Sequence, residues 1–424
     1  MTPNFIPHDC FQPLLKLKRT VYVRFSSWMI LLNGQPPTSD LAHHWTLDPE
    51  ITLLNHGSYG ACPKVVLARQ QELRERMEAR PVQFFQREFE EPLHAARVAL
   101  AEFVGSDNED IGLVSNVTNA INSVLRSLKF EPGDELLTTN HTYGASKNVL
   151  QFVADRAGAT LIVAEVPFPL ASSQEVTESI LDSVSDRTKI ALIDHVASPS
   201  ALVFPILEIV ERLNERGVDT LVDGAHAAGN VPLDLRSINA AYYAGNCHKW
   251  ICSPKSAGFV RVRKDKQAGI YPAIISFGYA GSVDGTGIHN AFMRRGTDDP
   301  SPLMCIPDSL EAMASLKPGG WPEIMATNRN LALDARRVIC ERLGVELPCP
   351  DEMVCALASI SFKVSDRSKE IPVGKTLLEQ WSIEVPVFNF PNEDQHVVRI
   401  SAQLYNTLEQ YKYLAEALSE FVME

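Results

Sequence analysis

Short apolar runs of β-type residues alternate with helical stretches through the middle of the chain, and this alternation restricts the fold more than any other feature of the sequence. It predicts an α/β fold in which a mainly parallel sheet is covered by helices. Several runs are continuously apolar, as strands buried on both faces are. The predicted strands are 111–115, 135–140, 160–166, 190–196, 220–223, 241–244 and 258–263.

Helical patterns at 64–79 and 92–104 precede these strands. After about residue 300 the alternation of strand and helix patterns gives way to a long helical pattern. A helical segment continues through Leu343, followed by β-like pieces at 356–364 and 397–401 and a final helix, which predicts a smaller α+β C-terminal domain. Because 424 residues exceed what one core usually spans, we expect more than one domain. The predicted division is 1–40 as an extension, 41–70 as an N-terminal segment packing with the small domain, 71–300 as the large domain and 301–424 as the small domain.

Residues 1–40 differ in composition from the rest, because Lys16, Lys18, Arg19 and Arg24 stand in an otherwise acidic protein. A targeting segment is one interpretation. Interrupted apolar stretches and the possible later start at Met29 favour an extension that is disordered or not part of the mature protein.

The formal net charge of −13 opposes binding to nucleic acid or to anionic membranes, so we expect a small-molecule substrate. No uncharged apolar run is long enough to span a bilayer. The cysteines form no CxxC pair, which argues against a zinc or redox site and suits a reduced, cytoplasmic location. They are Cys10, Cys62, Cys247, Cys252, Cys305, Cys340, Cys349 and Cys355.

The segment Tyr243-Ala-Gly-Asn-Cys-His-Lys-Trp250 follows a predicted strand, where burial would lower the pKa of Lys249 and make its amine nucleophilic. An isolated lysine is more often a solvated surface group. However, Leu221-Val-Asp-Gly-Ala-His226 ends another apolar run, at the edge where open α/β sheets bind ligands. Asp223 there could pair with a protonated pyridine nitrogen, or it could be an ordinary turn residue. Together the two segments favour a pyridoxal cofactor.

A phosphate group needs exposed N–H groups and hydroxyls at the start of a helix. Val114-Ser-Asn-Val-Thr-Asn-Ala120 offers them directly after a predicted strand, with Thr118 and Asn119 as the candidates. The alternative is an ordinary capped helix without a ligand.

These residues resemble the class V aminotransferase family of fold-type I pyridoxal-phosphate enzymes, and within it the isopenicillin N epimerase-like branch. The resemblance covers about residues 52–407. It rests on Leu54-Asn-His-Gly-Ser-Tyr-Gly60, Asp223-Gly-Ala-His226, His248-Lys249, Arg295-Gly-Thr-Asp298 and Val398-Arg-Ile-Ser-Ala402.

The resemblance implies pyridoxal 5'-phosphate as cofactor, bound as a Schiff base to Lys249, with Asp223 at the pyridine nitrogen and His226 near the phenolic oxygen. Tyr143 would stack on the ring, and Ser198 is expected near O3', although Ser200 replaces the glycine that usually follows this Ser-Pro pair. The implied phosphate ligands are Thr118, Asn119, Asn246, His248 and, from the second subunit of a homodimer with shared active sites, Thr297.

For the substrate, the resemblance implies that Arg399 binds the α-carboxylate of a small amino acid. We assign His56 to substrate binding as well, although His56 and His195 could each be structural. Arg294 or Arg295 could meet a second substrate carboxylate, or both could be solvated. No metal site is predicted.

Related cysteine desulfurases carry a nucleophilic cysteine shortly before the arginine strand, but residues 381–398 contain none, which argues against a persulfide mechanism. Three outcomes remain once the freed lysine has removed the Cα proton. They are epimerisation, elimination of a β-sulfur group by a C–S lyase, and transamination. The resemblance favours an epimerase; a non-catalytic protein that keeps the fold is a remote alternative.

Overall fold

The computed structural model describes residues 34–279, 287–294, 296–364 and 372–422. Residues 1–33, which make up most of the predicted N-terminal extension, lie outside the described residues, and so does Arg295.

A seven-stranded sheet forms the centre of the molecule, and each predicted strand contributes to it. Its order is β2-β8-β7-β6-β5-β3-β4, and all neighbours pair in parallel except β8, which runs antiparallel to both β2 and β7. The expectation of a mainly parallel sheet is confirmed. The strands are β1 (Thr52–Leu53, outside this sheet), β2 (Ile111–Val114), β3 (Glu135–Thr139), β4 (Thr160–Ala164), β5 (Thr188–Asp194), β6 (Asp219–Gly224), β7 (Tyr242–Asn246) and β8 (Gly258–Val262).

Helices cover both faces of this sheet, because successive residues of a strand point to opposite sides. Along β5, Ile190 and Leu192 enter one apolar cluster, whereas Ala191 and Ile193 enter another. The helices are α1 (His56–Tyr59), α2 (Lys64–Ala79), α3 (Pro81–Gln83), α4 (Glu90–Phe103), α5 (Val117–Ser127), α6 (Gly144–Ala157), α7 (Gln174–Asp182), α8 (Ile206–Glu215), α9 (Leu235–Ile238), α10 (Ile288–Met293), α11 (Ser301–Met304), α12 (Ile306–Ala314), α13 (Gly320–Leu343), α14 (Val373–Trp381) and α15 (Leu408–Ser419).

The C-terminal part carries a smaller antiparallel sheet of order β11-β12-β9, against which α13 packs. Its strands are β9 (Leu357–Phe362), β11 (Val387–Asn389) and β12 (His396–Ser401); β10 (Ile383–Glu384) pairs with β1 in parallel. The predicted helical segment after residue 300 is divided into α11, α12 and α13. Pro302 and Pro307 begin the first two of these, because proline suits a helix start but interrupts a helix interior. The domain boundaries stay a prediction.

The segment from Leu54 to Gly60, which includes α1, contacts both the C-terminal strands and the residues that follow β7 in the central sheet. The Leu54 N–H donates to the Glu384 carbonyl, and the Gly57 N–H donates to the Ser401 hydroxyl at 3.0 Å. Gly60 ends the segment with φ +72°, and a Cβ atom there would lie 2.0 Å from the His248 carbonyl oxygen. This close approach brings Ser58 and Tyr59 to the residues around Lys249.

Within the described part of the chain, no helix is long and apolar enough to cross a membrane. The same residues contain no cluster of histidine, cysteine, aspartate and glutamate side chains suited to a metal ion.

We predict that Gly60→Ala destabilises the protein far more than Gly217→Ala. Gly217 has a similar φ of +73° but nothing within 4 Å of its added methyl group, so it isolates the cost of the left-handed backbone, about 1–2 kcal/mol. Gly60→Ala adds a clash with backbone worth about 1–3 kcal/mol more. Chemical denaturation of both variants measures the difference, and equal losses in unfolding free energy would contradict the prediction.

Candidate active site

A cavity of about 310 Å³ opens at the carboxyl ends of three neighbouring parallel strands. β5 contributes Asp194, β6 contributes Asp223, and β7 runs into Asn246 and Lys249. Open α/β sheets bind ligands at this edge because side chains from adjacent strand ends converge there. The opposite wall includes Arg399 from β12.

Lys249 is the nucleophile that the sequence predicts, and its surroundings favour the neutral amine. Burial, and to a smaller extent repulsion from Arg399, lowers the pKa of Lys249 to about 7. Attraction from Asp223 acts in the opposite direction. Its Nζ lies 3.2 Å from Nε2 of His226, whose Nδ1 accepts a 3.5 Å hydrogen bond from the Trp250 indole. Nε2 therefore carries the ring hydrogen and donates it to the neutral amine. Burial also holds the pKa of His226 well below its usual range.

Asp223 is 2% exposed, and both carboxylate oxygens have donors. The Ser146 hydroxyl donates to Oδ2 at 2.8 Å, and the Ala225 N–H donates to Oδ1 at 3.1 Å. Burial raises the pKa of Asp223, while these two donors and Lys249 act in the opposite direction. A cationic ring nitrogen beside Asp223 would stabilise its negative charge further.

The start of α5 forms a second polar wall. Asn116 caps the helix by accepting the Asn119 N–H at 2.9 Å, and Asn246 accepts the Val117 N–H at 3.0 Å. Thr118 lines the cavity between these caps, and His248 lies nearby with Nδ1 donating to the Ala257 carbonyl. A helix start with a free hydroxyl beside it suits a phosphate group.

Arg399 is 5% exposed, and its described partners are neutral. Its Nη1 donates to the Ser198 carbonyl at 2.7 Å and to the Ser198 hydroxyl at 2.9 Å, and its Nη2 donates to the Ser58 hydroxyl at 3.1 Å. Nε is buried without an acceptor in the described structure. Burial lowers the pKa of Arg399 to about 10, which still leaves it cationic at neutral pH. A buried guanidinium without a counter-ion is a site for a carboxylate.

The structure brings most of the predicted site residues to this cavity and places three elsewhere. The predicted residues that line it are Thr118, Tyr143, Ser198, Asp223, His226, Asn246, His248, Lys249 and Arg399. Residues that sequence reasoning did not assign are Ser58, Tyr59, Asn116 and Asp194, which line the cavity, and Ser146, which holds Asp223.

His56, Asn119 and Thr297 do not belong to the described cavity lining. His56 lies behind Lys249, where its ring contacts the Lys249 carbonyl and the Tyr405 hydroxyl, each at 3.0 Å, so it supports the lysine segment. Asn119 lies one residue past Thr118, with its side-chain oxygen buried and without a described partner. Thr297 is exposed beside a separate apolar hollow.

Several other polar residues act in the scaffold. His195 lies 2.8 Å from the Tyr243 hydroxyl, and burial lowers its pKa to about 4. Ser200, in place of the expected glycine, contacts His141 at 2.7 Å. Arg294 forms an ion pair with Glu90. Cys355 is buried and contacts Asn230, and burial raises its pKa to about 11, so it is no accessible thiolate.

Comparison with known proteins agrees with this geometry. The family model for aminotransferase class-V matches residues 51–414. The isopenicillin N epimerase of Streptomyces clavuligerus is 32% identical over 390 residues, covering 89% of this chain and 96% of that protein. A probable chloroplastic L-cysteine desulfhydrase of Arabidopsis thaliana is 28% identical over 414 residues, covering 91% of this chain and 85% of that protein.

The fold also matches solved structures. A complex of the cystine C–S lyase C-DES with its product cysteine persulfide superposes with a TM-score of 0.72, at 21% identity, covering 88% of this chain and 99% of that one. The cysteine desulfurase CsdA of Escherichia coli superposes with a TM-score of 0.70, at 18% identity, covering 90% of this chain and 97% of that one.

Fold and site together define an enzyme of the pyridoxal-phosphate type. The chain belongs to the class-V aminotransferase family. The cavity fits pyridoxal 5'-phosphate, because it combines a lysine of lowered pKa, a buried carboxylate and the hydroxyl of Thr118 at a helix start.

We predict that Lys249 in the cofactor-free protein reacts with a small aldehyde with a pH midpoint near 7. The rate rises with pH because only the neutral amine attacks. Arg399→Met should raise the midpoint by removing a repelling charge, and Asp223→Asn should lower it by removing an attracting one. Arg342→Met, which removes an exposed arginine paired with Glu416, is the control and should leave it unchanged. Borohydride trapping and mass spectrometry of the Lys249 peptide give the rates; a midpoint near that of exposed lysines, about 10.4, would contradict the prediction.

Proposed function

We propose that this protein is a pyridoxal-phosphate enzyme that removes the Cα proton of a small amino acid and returns a proton to the opposite face, which makes it an epimerase. One observation supports removal of the Cα proton. Lys249, with a pKa near 7, lines one cavity together with the buried carboxylate of Asp223 and the guanidinium of Arg399, whose described partners are neutral. The return of a proton to the opposite face is supported by the similarity to isopenicillin N epimerase.

Two sets of residues hold the reactants. Thr118, Asn246 and His248, together with the start of α5, would hold the cofactor phosphate. Asp223, fixed by Ser146, would keep the ring nitrogen protonated. When bound, pyridoxal phosphate supplies an electron-withdrawing ring that accepts the electron pair left when the Cα–H bond breaks.

Arg399 would bind the substrate α-carboxylate and so orient the Cα–H bond. Its Nη groups are already fixed by Ser198 and Ser58, and its buried Nε has no acceptor in the described structure. A carboxylate would supply the missing negative charge, and holding one end of the substrate at a fixed position lowers the entropy cost of reaction.

Lys249 would act as the base at Cα. Its Nζ is largely neutral above pH 7, and the 3.2 Å hydrogen bond from His226 orients its lone pair. Epimerisation needs a second proton donor. The described lining offers the phenols of Tyr59 and Tyr143 on the solvent side, 75% and 51% exposed, and we assign the second proton to one of them.

A C–S lyase acting on a cysteine derivative is the second candidate. The observation that favours it is that β-elimination needs one base, which Lys249 provides, whereas the second donor for epimerisation is less well defined. The 28% identity with the desulfhydrase over most of both chains agrees with it. The described cavity lining contains no cysteine, which disfavours a desulfurase that stores sulfur on an enzyme thiol.

A reaction in D₂O tests the proposal and separates the candidates. We expect deuterium at Cα together with the D-enantiomer when the loaded enzyme is incubated with L-amino acids, including cysteine and cystine. Pyruvate with a released thiol or sulfide would instead establish the lyase, and keto-acid formation coupled to an amino acceptor would establish transamination. Lys249→Ala should lower the exchange rate by at least about 10²-fold. No exchange and no product from any amino acid would overturn the proposal.

We further propose that the protein is a homodimer in which Thr297 of one subunit reaches the phosphate site of the other. The segment before residue 280 exposes Ile274, Ile275 and Phe277, with 58%, 57% and 89% of each residue accessible. Of these apolar side chains, Phe277 lines the hollow that also contains Thr297. Burial of such a patch against a second copy removes apolar surface from water.

Mixed dimers test the sharing of sites. The test is a dimer of one Thr297→Ala chain and one Lys249→Ala chain. If each subunit supplies Thr297 to the site of its partner, one site has both an intact Lys249 and an intact Thr297, and it should bind the cofactor with wild-type affinity. If Thr297 served its own chain, neither site would be complete. Phe277→Asp should produce monomers in analytical ultracentrifugation, whereas Leu207→Asp, at an exposed apolar position on α8, should not. Dimers that persist with Phe277→Asp would contradict the proposed interface. The cytoplasmic location stays a prediction.

A further inference from the structure

Two buried carboxyl groups stand side by side on the floor of the cavity. Asp194 at the end of β5 and Asp223 on β6 are register partners in the parallel pair. Each is 2% exposed, and both line the cavity. Two adjacent carboxylates in such a place cannot both be charged at modest cost, because burial removes the water that would solvate them.

Their surroundings differ in a way that decides which one carries the charge. Asp223 accepts hydrogen bonds from Ser146 and Ala225 and lies near the Lys249 amine. Asp194 faces the Thr142 hydroxyl, the Tyr143 N–H and its own N–H, but its Oδ2 is buried without a hydrogen-bond partner in the described structure. The better-supported negative charge is on Asp223.

The hydroxyl hydrogens beside Asp194 point to the same assignment. Thr138 donates its hydrogen to the Leu192 carbonyl at 2.9 Å. The 2.6 Å contact between the Thr138 and Thr142 hydroxyls therefore uses the hydrogen of Thr142. Thr142 has none left for Asp194, so a hydrogen bond between the two must use a hydrogen on the carboxyl group.

We propose that Asp194 is a positioning residue that stays protonated: it holds the turn that presents Tyr143 to the cofactor and leaves Asp223 as the single negative charge at the ring nitrogen. Tyr143 is the residue directly before α6, and its backbone N–H faces the Asp194 carboxyl group, which places Asp194 where the Tyr143 ring leaves the chain. The proposal rests on the pyridoxal-phosphate function proposed above.

The electrostatics agree with this placement of the proton. Burial, followed by the charge of Asp223, raises the pKa of Asp194 well above its usual range. Lys249, after β7, acts on Asp223, and Asp223 acts in turn on the Tyr243 phenol, while His226, His248 and Arg399 line the same cavity. Lys249 acts on Asp223 more directly than on Asp194, which keeps the proton on Asp194.

Asp194→Asn and Asp194→Ala test the proposal by cofactor affinity and by the pH titration of the visible band of the bound cofactor. Because an amide resembles a neutral carboxylic acid, Asp194→Asn should keep the dissociation constant within about twofold and leave the titration midpoint unchanged. Asp194→Ala should weaken cofactor binding about tenfold, as expected for the loss of one hydrogen-bonded anchor. Asp223→Asn, which removes the charge, is the comparison and should shift the midpoint.

The anchor should act through Tyr143. In a double-mutant cycle, Asp194→Ala should weaken cofactor binding much less in a Tyr143→Ala background than in the wild type. Additive losses would overturn the positioning role. A midpoint shift in Asp194→Asn as large as that in Asp223→Asn would overturn the protonated state.

These outcomes are distinct from failure of the proposed function. If the wild-type protein forms no visible band with pyridoxal phosphate, or if Lys249→Ala leaves the band unchanged, the cofactor assignment fails before Asp194 is tested. Thermal unfolding of the cofactor-free variants shows whether a change in affinity reflects loss of the fold.

Discussion

The removal of charged groups from water at one edge of the central sheet is the constraint on which the rest of the site depends. Lys249, Asp223 and Arg399 enclose one cavity, where each charge loses hydration. The pKa of Lys249 is lowered to about 7, and both carboxylate oxygens of Asp223 accept hydrogen bonds. The described partners of Arg399 are neutral groups. Each response leaves a group ready for a different part of a bound cofactor and substrate.

The parallel sheet makes this concentration of charge possible. Asp194, Asp223 and Ala244 are consecutive register partners across β5, β6 and β7, so the residues that follow these strands emerge side by side. Apolar strand interiors beneath them are covered on both faces, which excludes water from below. The strands therefore supply both the position of the charged groups and the low polarity that changes their pKa values.

The sequence allowed the sheet and the centre of the site to be predicted because both depend on local signals. Apolar runs marked the strands, and polar residues just after them marked Asp223 and Lys249. Asp194 lacked this signal, because the predicted strand 190–196 continues past it, whereas β5 ends at Asp194. The antiparallel direction of β8 also had a signal, since the short connection from β7 leaves no room for the crossover helix that parallel strands need.

His56, Ser58 and Ser146 could not be assigned in the same way, because their roles depend on contacts far apart in the chain. Ser146 reaches Asp223 from α6, and His56 reaches the Lys249 carbonyl from the segment after β1. Ser58 from that segment and Arg399 from β12 line the same cavity, and in the proposed function they would surround the substrate together with Thr297 from a second subunit. In the proposed function, the strand ends would thus provide for removal of the Cα proton, whereas the fate of the substrate afterwards would depend on the rim, formed by Ser58, Arg399 and Thr297. Because the rim is assembled from distant segments, relatives with different named activities can share the same floor of strand ends.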